Sequence, residues 1–201
     1  MPNVTINILK MKDIGKKDWF VSGINTYRDG SERPYFYFDF NNIVPEPKTE
    51  EECPDCYNLN IAPDDSIQIN PDKPWFNWYE WKYDVWGTKW NGFECKIIND
   101  NAIKFETAWS PAYGVMEELS KTHYKDRVLL LFYNDEFDYS WYVNEYRNGN
   151  ITSFCLSDGF DERISRRPDN DDYSSVLNAL EEKYLKCKIS EVEDGGDTSE
   201  S

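Results

Sequence analysis

Apolar and polar residues alternate or repeat along this chain in ways that predict a definite series of strands and helices. Strict alternation over residues 3–10 predicts a first strand. Two further extended runs, 93–98 and 102–109, are separated only by the polar residues 99–101 and therefore predict a β-hairpin. The first half of the chain thus begins and ends with strands.

The second half carries its own strand and helix signals. Residues 127–133 are apolar almost without interruption, which predicts a strand buried on both faces. Residues 140–146 alternate and predict its antiparallel partner, and 151–156 could add another strand. Apolar residues recur at helical spacing over 173–187, which predicts an amphipathic helix.

Two more helices are expected around the hairpin. Aromatic residues spaced three apart predict a helix over 75–86, after Pro74. Ser110 and Pro111 suit the N-cap and the first position of a helix, because the hydroxyl can accept a backbone N–H and proline has none to leave unpaired.

Three segments are less regular. The aromatic run 35–40 predicts either a strand or a hydrophobic plug packed on the core. Residues 44–74 are rich in proline and acids and read as a long inserted loop, with a short helix near 49–52. Residues 188–201 form an acidic tail that we expect to be disordered.

This order of elements predicts an α+β sandwich with a mainly antiparallel sheet and helices packed on one face. We expect a single domain over residues 1–187, interrupted by the insertion at about 44–74. A chain of 201 residues is long enough to bury one substantial core.

Charge and composition narrow the class of partner. The net charge of −16 repels nucleic acid and anionic lipid and favours basic proteins. Basic residues cluster only at 163–167, among acids, which argues against direct nucleic-acid binding. No apolar run approaches the roughly 20 residues of a membrane span. Five cysteines and no evident signal peptide favour a reduced, cytoplasmic setting in a host cell.

Few residues predict reaction chemistry. Cys53 and Cys56 form a CxxC that is incidental or weakly metal-binding, part of a zinc site completed elsewhere, or redox-active. The one histidine, His123, is expected near a helix C-terminus, where an imidazolium interacts favourably with the helix dipole. The acids at 169–172 lack the glycine and glutamate of an EF-hand loop. We therefore expect no catalytic residues, no cofactor and no metal.

The turn at residues 86–91, with the sequence WGTKWN, allows two interpretations. Its tryptophans can pack on the sheet, or they can form an exposed aromatic rim that binds a partner. Acidic side chains later in the chain are the other candidates for contact with a basic surface. The expected partner-binding residues are Trp86, Lys89, Trp90, Asp135, Glu136, Asp138, Glu145, Asp161, Glu162, Asp169, Asp171 and Asp172.

Three motifs in succession, FDFNNIVPEP at 38–47, WGTKWN at 86–91 and FETAWSP at 105–111, resemble the YubB-type ferredoxin-like family of phage and plasmid proteins. The resemblance covers roughly residues 1–147 and extends to the opening Met1-Pro2-Asn3. It implies a ferredoxin-like α+β sandwich and an origin in a mobile element. It carries over no catalytic residues.

The leading hypothesis is a non-enzymatic phage or mobile-element protein that binds a basic host protein. In this hypothesis it inhibits a host defence or nucleic-acid-handling system, with acids that imitate the charge of DNA and aromatic rings as anchors. One alternative is an enzyme or small-ligand binder with its site in an aromatic cleft between 75–90 and the sheet. The other is a phage structural or replication accessory protein.

Overall fold

A six-stranded sheet lies at the centre of the protein. The computed structural model describes residues 3–14, 18–26, 30–58, 75–134, 140–156, 168 and 172–194. Side by side, its strands are β10 (Asn150–Cys155), β9 (Trp141–Arg147), β8 (Leu129–Asn134), β1 (Val4–Lys10), β7 (Ala102–Ala108) and β6 (Phe93–Asn99). All neighbours pair antiparallel. The expected α+β architecture with a mainly antiparallel sheet is confirmed.

Smaller elements surround this sheet. Two short antiparallel pairs are β2 (Phe20–Thr26) with β3 (Glu32–Phe38), and β4 (Tyr57–Asn58) with β5 (Trp75–Phe76). The helices are α1 (Trp78–Trp81), which continues into a π-helical turn at Lys82–Trp86, α2 (Tyr113–Thr122) and α3 (Tyr173–Asp194). Short 3₁₀ turns occur at Phe40–Asn42 and Pro54–Cys56.

One face of the sheet packs against α2, the π turn and the β2–β3 hairpin. Leu129 and Leu131 of β8 point to this face and are fully buried. From α2, the buried side chains are Val115, Met116 and Leu119. Because each buried aliphatic side chain contributes about 1.5–3 kcal/mol, this layer is a main source of stability.

The opposite face packs against α3. Ile6, Ile8 and Phe132 point to it from the central strands and are buried. The buried side chains of α3 in this layer include Tyr173, Val176, Leu177, Leu180 and Tyr184. Helices therefore cover both faces, and the prediction that they lie on one face is wrong. The reason is that the central strands carry apolar side chains on both sides, so a second layer is required.

The aromatic run 35–40 acts both as a strand and as a plug. Its first part pairs in β3, and Phe38 and Phe40 then enter the core, where both are fully buried. The Phe38 ring lies 5.0 Å from that of Phe40 and 5.4 Å from that of Phe105 on β7. Both are edge-to-face contacts, a favoured geometry for aromatic pairs.

Helices α1 and α2 both begin later in the chain than the sequence predicts. The first helix begins at Trp78, where the Asn77 side chain accepts the Glu80 N–H at 3.3 Å. The second begins at Tyr113 with Ala112 at the N-cap position, so the prediction that Ser110 caps it is wrong. Ser110 Oγ instead donates to the Gly87 carbonyl and ties the helix entry to the turn at 86–91.

A close backbone contact joins α2 to the π turn. A Cβ atom on Gly114 would lie 1.8 Å from the Val85 carbonyl oxygen, so only glycine permits this approach. His123 stands at the other end of α2 in the C-cap position, as expected, with its ring 5.5 Å from that of Trp19.

The insertion and the tail differ in detail from expectation. The short helix expected near 49–52 is absent there, and a 3₁₀ turn lies at Pro54–Cys56 instead. Residues 59–74 lie outside the described residues. Helix α3 continues to Asp194, so the start of the segment predicted as a disordered tail is helical.

A charged pair is buried beneath the start of α3. Lys104 Nζ lies 2.6 Å from Glu106 Oε1, and both side chains are less than a tenth exposed. Lys104 Nζ also donates to the Glu94 carbonyl at 3.1 Å and lies 5.4 Å from the centre of the Tyr173 ring. Such pairing is what makes a buried charge tolerable.

Substitution of two leucines of α3 tests the packing of this helix on the sheet. Leu180 is fully buried, whereas Leu185 is 58% exposed. We expect Leu180→Ala to lower the free energy of unfolding by about 2–5 kcal/mol, because it leaves a cavity. The matched control Leu185→Ala should change it by less than about 0.5 kcal/mol. Urea unfolding measures both, and equal losses would contradict the packing of α3 on the sheet.

Candidate functional site: an aromatic box around Lys89

The segment 78–90 divides its aromatic residues between the core and the surface. Trp81 and Trp86 point inward, with their rings 5.7 Å apart. Trp78 and Tyr79 remain partly exposed on the other side. This division follows from the π-helical turn, whose i to i+5 spacing keeps Trp81 and Trp86 on one side.

Four aromatic rings surround the ammonium group of Lys89. Its Nζ lies 5.1 Å from the ring centres of Tyr79 and Trp90, 5.3 Å from that of Trp109 and 5.9 Å from that of Trp78. All these distances are within the range of cation–π attraction, worth about 0.5–1 kcal/mol each at exposed sites. We call Trp78, Tyr79, Trp90 and Trp109 the aromatic box.

Trp109 reaches the box through an unusual backbone conformation. It follows β7 directly and has a φ of 69°, in the left-handed region. A non-glycine residue there costs about 1–2 kcal/mol. Its N–H donates to the Asn3 carbonyl at 2.8 Å, and its ring meets that of Tyr79 edge to face at 6.1 Å. The ring therefore reaches the site only because the backbone of Trp109 adopts an unfavourable conformation. Backbone strain of this kind is typical of functional positions.

The turn that carries Lys89 is fixed to the end of β7. Thr88 Oγ1 donates to the Ala108 carbonyl at 2.9 Å, beside the bond from Ser110 to Gly87. Gly87 has a φ of 83°, and a Cβ there would lie 3.0 Å from the Pro111 carbonyl oxygen. These bonds give the lysine and Trp90 a fixed base.

Two lysines near the box have different partners. Lys82 Nζ forms an ion pair with Glu46 at 2.9 Å, and it also lies 4.7 Å from the Trp86 ring centre and 5.4 Å from that of Trp78. In the part of the chain that the structure describes, Lys89 forms no ion pair. Aromatic rings thus provide its main attraction within this part of the protein.

The two tryptophans of this turn, both predicted as partner-binding residues, differ in their exposure to solvent. Trp90 is 39% exposed and belongs to the box with Lys89. Trp86 is fully buried and donates from Nε1 to the Val44 carbonyl at 2.9 Å. The expectation that Trp86 contacts a partner is therefore wrong, because its ring fills the core.

Sequence reasoning does not bring the other box members together. It predicts a helix that contains Trp78 and Tyr79 and, as an alternative, an aromatic cleft between 75–90 and the sheet, whereas it predicts Trp109 only at the end of a strand. Their shared signal was the density of tryptophan and tyrosine in 75–90 and again at 109. That density indicates a binding surface or a core equally well.

Most of the predicted acidic contacts lie outside the described residues: Asp135, Glu136, Asp138, Asp161, Glu162, Asp169 and Asp171. Glu145 on β9 is engaged inside the protein, because it pairs with Lys188 at 2.6 Å and accepts a bond from Tyr184. Burial raises its pKa, but these two bonds outweigh burial and lower it. Asp172 is exposed, and its carboxylate accepts the Ser174 N–H at 3.1 Å at the start of α3.

The two cysteines of the CxxC differ from the remaining three in their bonding. Cys53 and Cys56 are joined in a disulfide, and in this state neither sulfur is a thiolate ligand for zinc. Cys95, Cys155 and Cys187 are not joined in disulfides and carry thiols. Among the described residues, no group of three or more histidine, cysteine or acidic side chains could hold a metal ion. Nor does any helix in those residues have the length and apolarity needed to cross a membrane.

Comparison with protein-family models, with curated proteins and with solved structures found no match to this chain. The resemblance to the YubB-type family therefore stays a prediction based on its three motifs.

The reactivities of the Cys95 and Cys155 thiols test the burial of Cys95 on β6. Burial raises the pKa of the Cys95 thiol to about 12, whereas Cys155 is exposed. Since the thiolate is the reactive form, we expect iodoacetamide at pH 8 to modify Cys155 at least about tenfold faster than Cys95.

Peptide mass spectrometry of a time course measures the two rates. Cys95 should gain reactivity only as the pH approaches its raised pKa or when urea unfolds the chain. Rapid modification of Cys95 in the folded protein at pH 8 would contradict its burial.

Proposed function

We propose that this protein is a non-enzymatic binding protein of a phage or other mobile element, acting on a basic protein of the host cell. The observation that carries the proposal is the Lys89 ammonium held among four aromatic rings on a chain of net charge −16. A site that holds one cation by its rings has the chemistry to recognise another.

Acidic side chains near the box add to this chemistry. Glu80 on α1 directly follows Tyr79 in the chain, Asp84 lies four residues further on in the π turn, and both are exposed. Negative potential accelerates encounter with a basic surface, and aromatic side chains supply desolvated anchors once the surfaces meet. If the partner normally binds DNA, these carboxylates would take the places of phosphates, and the protein would inhibit by imitation of DNA.

We also propose a ferredoxin-like core, as the resemblance to the YubB-type family implies. Apart from the short pairs β2–β3 and β4–β5, the chain order is β1, α1, β6, β7, α2, β8, which repeats strand–helix–strand. These four strands lie in the order β8, β1, β7, β6, and this arrangement supports the proposal. On this view, the two short pairs, the last two strands and α3 are additions to the core.

Small-ligand binding is a second candidate, favoured by a pocket to which Trp81 of α1 contributes. The pocket has a volume of about 420 Å³ and is open to solvent. Its lining residues are Pro45, Glu46, Pro47, Lys48, Glu52, Cys53 and Trp81. Its size suits a small molecule.

Charge reversal beside the box tests the leading proposal. We expect the double variant Glu80→Lys and Asp84→Lys to lose at least about tenfold in affinity for the captured partner, through loss of attraction and added repulsion. Pulldown from host lysate, followed by calorimetry on the purified partner, measures the effect. Wild-type binding should weaken steeply with added salt and compete with double-stranded DNA.

The matched control is Glu182→Lys, an exposed acid on α3, on the opposite side of the sheet. It reverses one charge of the same kind, against two in the test variant, and should alter affinity by less than twofold. A partner that is acidic, or binding that is indifferent to salt and to the double variant, would overturn the proposal.

A further inference from the structure

The aromatic box is wider than a bare ammonium group needs. An ammonium seated in contact over the middle of a ring face stands roughly 3.5–4.0 Å from the ring centre. Lys89 Nζ is 5.1–5.9 Å from all four ring centres. The lysine thus lies between the four rings and is not seated at contact distance over the centre of any of them.

A methylated nitrogen fits these distances better. A methyl carbon lies about 1.5 Å from its nitrogen and contacts a ring carbon at about 3.5–4.0 Å. The nitrogen of a quaternary ammonium therefore stands about 5 Å from each ring it touches. This distance matches the box on its three nearest walls, Tyr79, Trp90 and Trp109.

Lys89 can leave the box at small cost. Its side chain is only partly buried, and within the described residues no carboxylate holds the ammonium in place. Lys82, by contrast, is tied to Glu46 and could not leave without breaking an ion pair. Lys89 is the group that an incoming cation would displace.

We infer that the aromatic box binds a quaternary ammonium group, with Lys89 as the internal occupant that the ligand replaces. This inference rests on the proposed function, since it names the chemistry that a partner presents to the site. A quaternary ammonium has no N–H groups to hydrate, so it loses less on leaving water than a lysine ammonium does. The box therefore favours the methylated cation over its own lysine.

The tethered lysine also sets the affinity of the wild-type protein. A group on a short flexible tether acts as a competitor at an effective concentration in the millimolar range. The apparent affinity of an external cation is reduced by the fraction of molecules in which Lys89 occupies the box. Removal of the lysine side chain should therefore strengthen binding, which distinguishes a competitor from a structural support.

The test uses tetramethylammonium chloride titrated into the full chain, followed by calorimetry and tryptophan fluorescence. We expect Lys89→Ala to bind it at least about tenfold more tightly than the wild type does. Potassium chloride at the same ionic strength should produce neither heat nor a change in fluorescence. Lys186→Ala, which removes an exposed lysine from α3 on the other face of the sheet, should leave the affinity within twofold of wild type.

A ring variant keeps the inference testable if the lysine variant is unstable. Trp90 is 39% exposed, so Trp90→Ala should fold, and it should lower wild-type affinity for tetramethylammonium at least about fivefold. Trp90→Phe retains a ring face and should recover part of the loss. An unchanged affinity in Trp90→Ala would overturn the inference.

Two further ligands identify the source of the cation. A peptide with trimethyllysine should bind Lys89→Ala at least about tenfold more tightly than the same peptide with unmodified lysine, which assigns a side chain of a partner protein. Tighter binding of free choline than of the trimethyllysine peptide would assign a small molecule. Equal affinity for the modified and unmodified peptides would overturn the inference, because charge alone would then explain binding.

The two proposals fail in different ways. If Lys89→Ala does not bind tetramethylammonium, the inference about the box is wrong, while salt-sensitive capture of a basic partner through Glu80 and Asp84 can still hold. If no basic partner is captured but tetramethylammonium binds as expected, the box stands as a cation site and the proposed function is wrong.

Discussion

Burial of both faces of the central strands is the constraint on which this structure depends. β1 and β8 lie in the middle of the sheet and carry large apolar side chains on both sides. Neither face can be left to water, because the exposed apolar area would cost far more than the protein's net stability. One layer is built from α2, the π turn and the β2–β3 hairpin, and the other from α3.

The aromatic box is a consequence of how the first layer is covered. Trp81 and Trp86 must both reach the core from one short helical segment, and the π turn places them on the same side. The rings of Trp78 and Tyr79 are then left at the surface, next to the turn that carries Lys89. The surface site thus arises from the same segment that seals the core, so its rings are held by packing beneath them.

Much of the sheet could be predicted from the sequence, and its helix layers could not. The hairpin at 93–98 and 102–109 and the strand at 127–133 have strong periodic or apolar signals, and β6, β7 and β8 confirm them. The apolar run 127–133 already implied burial on two faces. The second covering layer follows from that run, yet placing α3 on it required knowing which side α2 would take.

The candidate site was predictable only in part, because its members come from three separate segments. Lys89 and Trp90 stand out as an unusual turn, but nothing local shows that Trp109 meets them. That meeting depends on the left-handed conformation of Trp109 and on the pairing of β7 with β1. Trp86 was predicted at the surface and is buried. It lies in the same six-residue turn as Trp90, and only tertiary packing distinguishes the environments of the two rings.

The buried pair of Lys104 and Glu106 has a consequence for how the chain finds its strand register. Both residues alternate with Phe105, so they face α3 while its ring faces α2. If β7 slipped by one residue against β1, both charges would turn into the apolar layer beneath α2 and lose their contacts with the Glu94 carbonyl and Tyr173. The charged pair thus penalises misaligned hairpins far more than it strengthens the aligned one.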